Sequence, residues 1–374
     1  MTFGERLRAI RAGMTELWLD VLVAIHDGAH FIETPNPVMV LTGFKAIGPA
    51  AAVMSTDGAV SLIVTPAWDG DRARAACPGV RVVAADDVCD GVAGCPEIAR
   101  LAKAGNGPTR IGLAGLSFAP WGIARRLVEL LPTARVADDV VEGPAALKTE
   151  DEIANAREAT RIAELGYRHL LDIVRPGISE DELAVELKWH SKSLGAEDNF
   201  LLLCAGPHNR AVAPSNGRRL QAGDIVLAEI TPSYRGQLAQ ICRTVVLGGA
   251  SPTLAEKYRL VVRAMMDGIA AARPGAAMAA VCRAIDATLE AEGYGEFCHP
   301  PHIRRRGHGL GFASIAPGDV ALDNEIALAP GMVFMIHPNQ YLPETGYLLC
   351  GEPVLMTPQG AQPLTREHAA LAEV

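Results

Sequence analysis

The sequence predicts an α/β domain followed by an α+β domain whose two halves repeat one another. Three observations carry that prediction. Short apolar runs alternate with helical stretches through the first 145 residues. Two pairs of long helices then each turn at Arg-Pro-Gly, at Arg175-Pro176-Gly177 and, 98 residues on, at Arg273-Pro274-Gly275. Strands follow each pair, and in both copies a glycine stands six positions ahead of a polar residue at a strand end. These are Gly223 and Glu229 in GDIVLAEI, and Gly331 and His337 in GMVFMIH. Two such units related by a pseudo-two-fold axis bring Glu229 and His337 towards each other across a shared sheet.

Residues 5–18 have Leu7, Ile10, Met14 and Leu17 at helical spacing. Apolar runs follow at 21–25, 38–41 and 51–54, then a turn at Ser55-Thr56-Asp57-Gly58 and a strand at 60–64. A helical stretch near 69–76, strands at 80–84 and 110–113 and a helix at 121–131 complete the first half. His26 and His30 stand alone there and read as loop or core histidines. The domain boundary falls at Gly143-Pro144, giving domains 1–145 and 146–374. Thr149 with Glu152 three residues later forms a capping box that opens a helix reaching about Val174. A turn at Gly223-Asp224, a strand at 225–230 and a return strand at 237–247 build the first repeat's hairpin. Alternation places Glu229 on the face of Ile225 and Leu227, and Gln240 between Leu238 and Cys242. A carboxylate among apolar strand residues needs a hydrogen bond, an opposite charge or a cation.

A net charge of -9 and a pI near 5.6 give no electrostatic reason for nucleic acid or an anionic membrane as partner. The longest basic cluster is Arg304-Arg305-Arg306, which suits a local anion. The first twenty residues carry charges throughout, unlike a secretory signal, and no stretch approaches the roughly 18 apolar residues of a membrane span. Eight cysteines lie scattered without CxxC spacing, as reduced thiols do. A cytoplasmic protein, forming a homodimer and acting on a small molecule, is the expectation.

From Lys148 to Thr365 the pieces KTEDEIANAREA, RPGISEDELA, GDIVLAEI, QICRT, RRGHGLG, LAPGMVFMIHP and EPVLMT stand in an order that resembles the creatinase, prolidase and aminopeptidase P family. The resemblance implies the pita-bread fold for the second domain. NPVMVLTGF and VMSTDGAVSLIV are compatible with that family's smaller N-terminal domain. Metal-dependent members hold two divalent ions with two Asp, one His and two Glu. Carried over, those positions are Glu229, Gln240, His308, His337 and Gly351, and only the histidine is unchanged. Bridging carboxylates neutralise paired hard cations, so an amide and a glycine in their place argue against a two-ion centre.

That departure resembles creatinase, which works without metal. Its proton-transferring histidine aligns with Val212, however, and one of its glutamates with Cys242; the histidine after GHG in peptidase members aligns with Ile315. The expectation is a metal-independent, cofactor-free hydrolase of a C–N bond in a small polar, carboxylate-bearing molecule. His308, His337, Glu229 and His208 are its candidate catalytic residues; Gln240, Glu352, Asn339 and Arg306 are its candidate substrate contacts. Two alternatives stand beside it. One is an Xaa-Pro peptidase-like hydrolase with a single ion on Glu229, His308 and His337, since two imidazoles and a carboxylate are a familiar zinc set. The other is a pita-bread protein that binds a ligand without turnover.

Overall fold

In the computed structural model, which describes residues 1–103, 110–313 and 316–374, the chain divides into two units, Met1–Ala146 and Leu147–Val374. The first carries a six-stranded sheet. Its strands are β1 (Val21–His26), β2 (Ala50–Ser55), β3 (Val60–Val64), β4 (Arg81–Ala84), β5 (Ile111–Ala114) and β6 (Arg135–Val136), in spatial order β4-β3-β2-β1-β5-β6. β1 pairs antiparallel with β2 and parallel with β5. Both β1 and β2 are apolar at nearly every position and buried throughout, the pattern of strands covered on both faces. The similar run at 38–41 is a helix, Pro37–Thr42. Its ends decide this: the Asn36 side chain accepts the Met39 N–H at 3.0 Å, Pro37 occupies the first turn, and Gly43 closes it in the left-handed region.

The second unit opens with helices Glu150–Ile173 and Glu180–Ser193, each started by a complete capping box, Thr149 with Glu152 and Ser179 with Glu182. Helices Pro252–Ala271 and Met278–Ala291 are their counterparts in the second repeat. The first sheet holds β7 (Asp198–Gly206), β8 (Ile225–Tyr234), β9 (Gln237–Leu238) and β10 (Ile241–Val246). The second holds β11 (Gly307–Gly309), β12 (Val333–Ile336), β15 (Glu352–Thr357) and β16 (Gly360–Pro363), while β13 (Gln340–Leu342) and β14 (Gly346–Leu348) form a hairpin between β12 and β15. The last strand, β17 (Ala372–Glu373), returns to the first sheet beside β10. Helical Ala163, Leu170 and Leu187 pack on Leu203, Val226 and Ile230 of the first sheet.

The repeat is visible in the backbone, since Gly223 and Gly331 both have positive φ, 86° and 98°. Two details differ from expectation. β8 runs through Pro232 to Tyr234, so Glu229 lies within the strand, where β7 and β10 both pair with it. The return strand is broken between β9 and β10, and Gln240 occupies the break. All eight cysteines are buried free thiols. Among the described residues no helix is long and apolar enough to cross a membrane.

In the N-terminal unit, His26 closes β1. Its Nδ1 accepts the Gly28 N–H at 2.9 Å, and its Nε2 is buried without a hydrogen-bond partner. Burial, helped by the neighbouring His30, lowers its pKa to about 4, and Asp27 offsets only part of this. An unfolded chain takes up this proton near 6.5, so between pH 6.5 and 4 the unfolded state binds more protons and stability falls as pH falls. The loss amounts to about 3 kcal/mol at most. Replacing His26 by Gln, which keeps an acceptor, is expected to flatten urea-denaturation stability across that window, and an unchanged slope would place the titration elsewhere.

Candidate functional site

Two contacts join the sheets of the second unit and fix the site between them. Cys242 and Gly351 exchange backbone hydrogen bonds of 3.3 and 3.2 Å. Beside them Arg243 donates from Nη2 to Glu352 Oε1 at 3.0 Å, with both side chains essentially buried. Glu352 also accepts from Thr365 Oγ1 at 2.6 Å and the Ala369 N–H at 2.7 Å. Arg243 Nη1 reaches the carbonyls of Cys242 and Gly351.

Glu229 and Cys242 are cross-strand partners, so their side chains share a face. The Asn339 amide donates to Glu229 Oε1 at 3.0 Å, and the Cys242 thiol donates to the same oxygen at 3.6 Å. Asn339 Oδ1 accepts the Cys350 N–H at 3.1 Å. Burial pushes the Glu229 carboxyl above its ordinary range, and these weak donors offset only part of that. Burial, with Glu229 alongside, likewise lifts the Cys242 thiol well above its usual value, which makes it an inert hydrogen-bond donor.

His308 sits on β11 because Gly307 lets that strand approach β12: a Cβ at 307 would lie 1.9 Å from the Met335 carbonyl oxygen. Its Nδ1 is 2.9 Å from the Gly309 carbonyl oxygen and its Nε2 3.1 Å from Gln240 Oε1. Gln240 also donates to Thr231 Oγ1 at 3.1 Å. An amide offers a donor at one end and an acceptor at the other, so Gln240 can serve either tautomer of the ring. His337 follows β12, its ring edge-to-face with His308, centroids 5.3 Å apart. Burial, with His308 next, pushes its pKa well below the ordinary histidine value, and its Nδ1 is buried without a partner. His337 is therefore a neutral imidazole.

The structure thus forms two groups: Gln240, His308 and His337 in contact, with Thr231 beside Gln240, and Glu229 with Asn339 and Cys242, the two joined by the short segment from His337 to Asn339. Thr231 was legible, since it lies two residues beyond Glu229 on the same face of β8. Three expected residues lie elsewhere. His208 is exposed, with Nε2 3.0 Å from the Pro343 carbonyl oxygen and its ring edge against Tyr341. Glu352 is committed to Arg243. Arg306 is committed to Asp286, donating from Nε to Oδ1 at 2.7 Å. Hydrogen bonds that complete the frame take up the last two, which corrects their expected place at a substrate. Ile315 lies outside the described residues.

Residues 154–358 match metallopeptidase family M24. The chain is 30% identical over 246 residues to the uncharacterized peptidase YqhT of Bacillus subtilis, covering 65% of this chain and 67% of the relative. It is 28% identical over 237 residues to the Xaa-Pro dipeptidase of Pyrococcus furiosus, covering 63% of this chain and 67% of that one. An Xaa-Pro dipeptidase from Bacillus anthracis superposes over 100% of both chains with a TM-score of 0.84 at 22% identity. The prolidase of Pyrococcus horikoshii does so over 98% of this chain and 99% of its own, with a TM-score of 0.83 at 21% identity. These likenesses establish the pita-bread fold. They also correct the expectation of a metal-independent, creatinase-like hydrolase of a small C–N compound, because the family is one of metallopeptidases and the relatives are Xaa-Pro dipeptidases. The peptidase alternative is the one they back.

The metal ions that the family name implies do not fit the residues present. Among the described residues no group of three His, Cys, Asp or Glu is placed to hold an ion. Gln240 supplies no negative charge, and a Cβ at Gly351 would fall 2.6 Å from both the His337 Cβ and the Met335 Cε. Oε1 of Glu229 already accepts from Asn339 and Cys242.

Gly351→Ala is expected to cost about 1–3 kcal/mol in urea denaturation, because His337 Cβ is fixed to the backbone even if Met335 turns away. Equal stability would show room for a side chain at 351. Glu352→Gln, which strands the Arg243 charge, should cost about 3–5 kcal/mol in the same measurement.

Proposed function

We propose that this chain, which belongs to metallopeptidase family M24, is a hydrolase of the Xaa-Pro peptidase type that receives a short peptide at the junction of Glu229, Gln240, His308 and His337. The observation that carries this is the run of contacts from Gln240 through His308 to His337, with Glu229 bonded to Asn339 two residues further on, in a chain that superposes from end to end on an Xaa-Pro dipeptidase. Glu229 and Gln240 offer acceptors for peptide N–H groups, and Gln240 also offers a donor for a carbonyl. His308 and the neutral His337 can each hold or release a proton at a ring nitrogen. The neutral His337 imidazole and the desolvated Glu229 carboxyl suit a neutral amide group better than an ionised one.

A second reading, peptide binding without turnover, is favoured by one specific observation. Two of the five positions that hold ions in metal-dependent members are Gln240 and Gly351, and the second has no space for a longer side chain.

Incubation with Xaa-Pro dipeptides and matched Xaa-Ala controls, with and without added Mn²⁺ or Zn²⁺, separates the two readings. The expected outcome is release of free proline, reduced about 10²- to 10⁴-fold in His308→Ala. Calorimetric binding of the dipeptide with no release would support the second reading. Neither binding nor release would overturn both.

A further inference from the structure

Of the basic cluster Arg304-Arg305-Arg306, Arg305 lies near enough to bias Glu229 and His337, while Arg306 is among the largest fully buried side chains of the described residues. Its guanidinium is bonded unequally. Nε donates to Asp286, Nη1 donates to the Pro338 carbonyl at 2.6 Å and to Gln340 Oε1 at 2.9 Å, and Nη2 has no nitrogen or oxygen acceptor, with the Cys298 thiol beside the guanidinium. A buried charged donor left without an acceptor is costly, more so than a neutral one.

Arg306 lines a cavity of about 190 Å³ together with Arg304, Arg305, His299, Cys282 and Cys298. Arg304 and His299 are exposed, and neither side chain has a hydrogen-bond or ion-pair partner. Arg305 donates to Asp319 at 2.9 Å. Of the acids in the wall, Asp286 is neutralised by Arg306, and Asp323 is exposed. The two thiols are pushed up by burial, Cys282 to about 12 and Cys298 to about 11, so they stay uncharged and do not repel an anion. The wall therefore combines an exposed, unpaired guanidinium, an imidazole and a buried guanidinium just beneath the surface that has no acceptor for Nη2.

We propose that this cavity is a binding site for a small oxyanion, a phosphate or a carboxylate, held between Arg304 and Arg306 with His299 at the rim. Guanidinium groups bind such anions through paired N–H donors, and the volume is ample, since a water takes about 30 Å³ of liquid. The same guanidinium plane carries the ligand's effect inward. Nη1 holds the Pro338 carbonyl and Gln340, the residues that flank Asn339 and follow His337. An anion bound to Arg306 thus steadies the segment that supplies two groups to the peptide site.

Inorganic phosphate is the first probe, acetate the second, and sodium chloride at matched ionic strength the control. Phosphate or acetate is expected to raise the Tm saturably and to slow amide hydrogen exchange over residues 298–306 and 336–340, with no such effect from chloride. Whichever of the two protects identifies the oxyanion. Arg304→Glu, at an exposed position that leaves the fold intact, should weaken the effective anion at least tenfold, and His299→Ala should weaken it less. Equal responses to all three salts, protection outside those segments, or unchanged binding in Arg304→Glu would each overturn the site. None of these readouts depends on peptide hydrolysis.

Discussion

The buried Arg243–Glu352 pair, beside the Cys242–Gly351 bridge, is the constraint from which the rest of the second unit follows. Each sheet could slide by a residue at modest cost to its own ladder. A slip would, however, exchange inward and outward side chains and leave a desolvated charge without its partner. Ion pairs of this kind add little net stability over apolar packing, and their value lies in fixing register. Here the fixed register sets Glu229 opposite Cys242 and brings the segment after β12 across to it, so that Asn339 can bond the carboxyl. The chain's C-terminal residues take part too, since Thr365 and Ala369 supply the remaining donors to Glu352.

Within that frame the junction is polar and lightly charged. Glu229 is desolvated and hydrogen-bonded by an amide and a thiol, with Arg305 acting on it only through space, His337 is neutral, and Gln240 bonds His308. A two-ion centre needs the opposite: several carboxylates whose repulsion only bound cations relieve. The fold of the M24 peptidases has been kept while the groups at its centre changed, which is the general separation between a scaffold and the chemistry placed on it. Arg306 shows the same economy at one remove. Its Nη1 bonds the Pro338 carbonyl and the Gln340 side chain on either side of Asn339, its Nε bonds Asp286, and the same residue lines a separate cavity.

Much of this was legible from the residues. The capping boxes at Thr149 and Ser179 mark helix starts through side-chain chemistry that acts within four residues, and the paired glycines at 223 and 331 mark one backbone conformation used twice. Glu229 and His308 stood out because their surroundings in the sequence are apolar or glycine-rich. The helix Pro37–Thr42 was less legible, because a six-residue apolar run has no period of its own and only Asn36 and Gly43 disclose it. The continuation of β8 past Glu229 was hidden by Pro232, which usually ends a central strand.

The sequence by itself determined the repeat, the order of helices and strands, and which polar residues are carried into the second unit's interior, because periodicity and capping are local. Only the tertiary structure decided what those polar residues do. His208 and Arg306 are equally plausible pocket residues in one dimension; one lies on the surface against Pro343, the other is buried against Asp286. The physical reason is that a buried charge takes its role from whichever partner the packing brings within hydrogen-bond reach, and those partners lie 20 to 135 residues away along the chain.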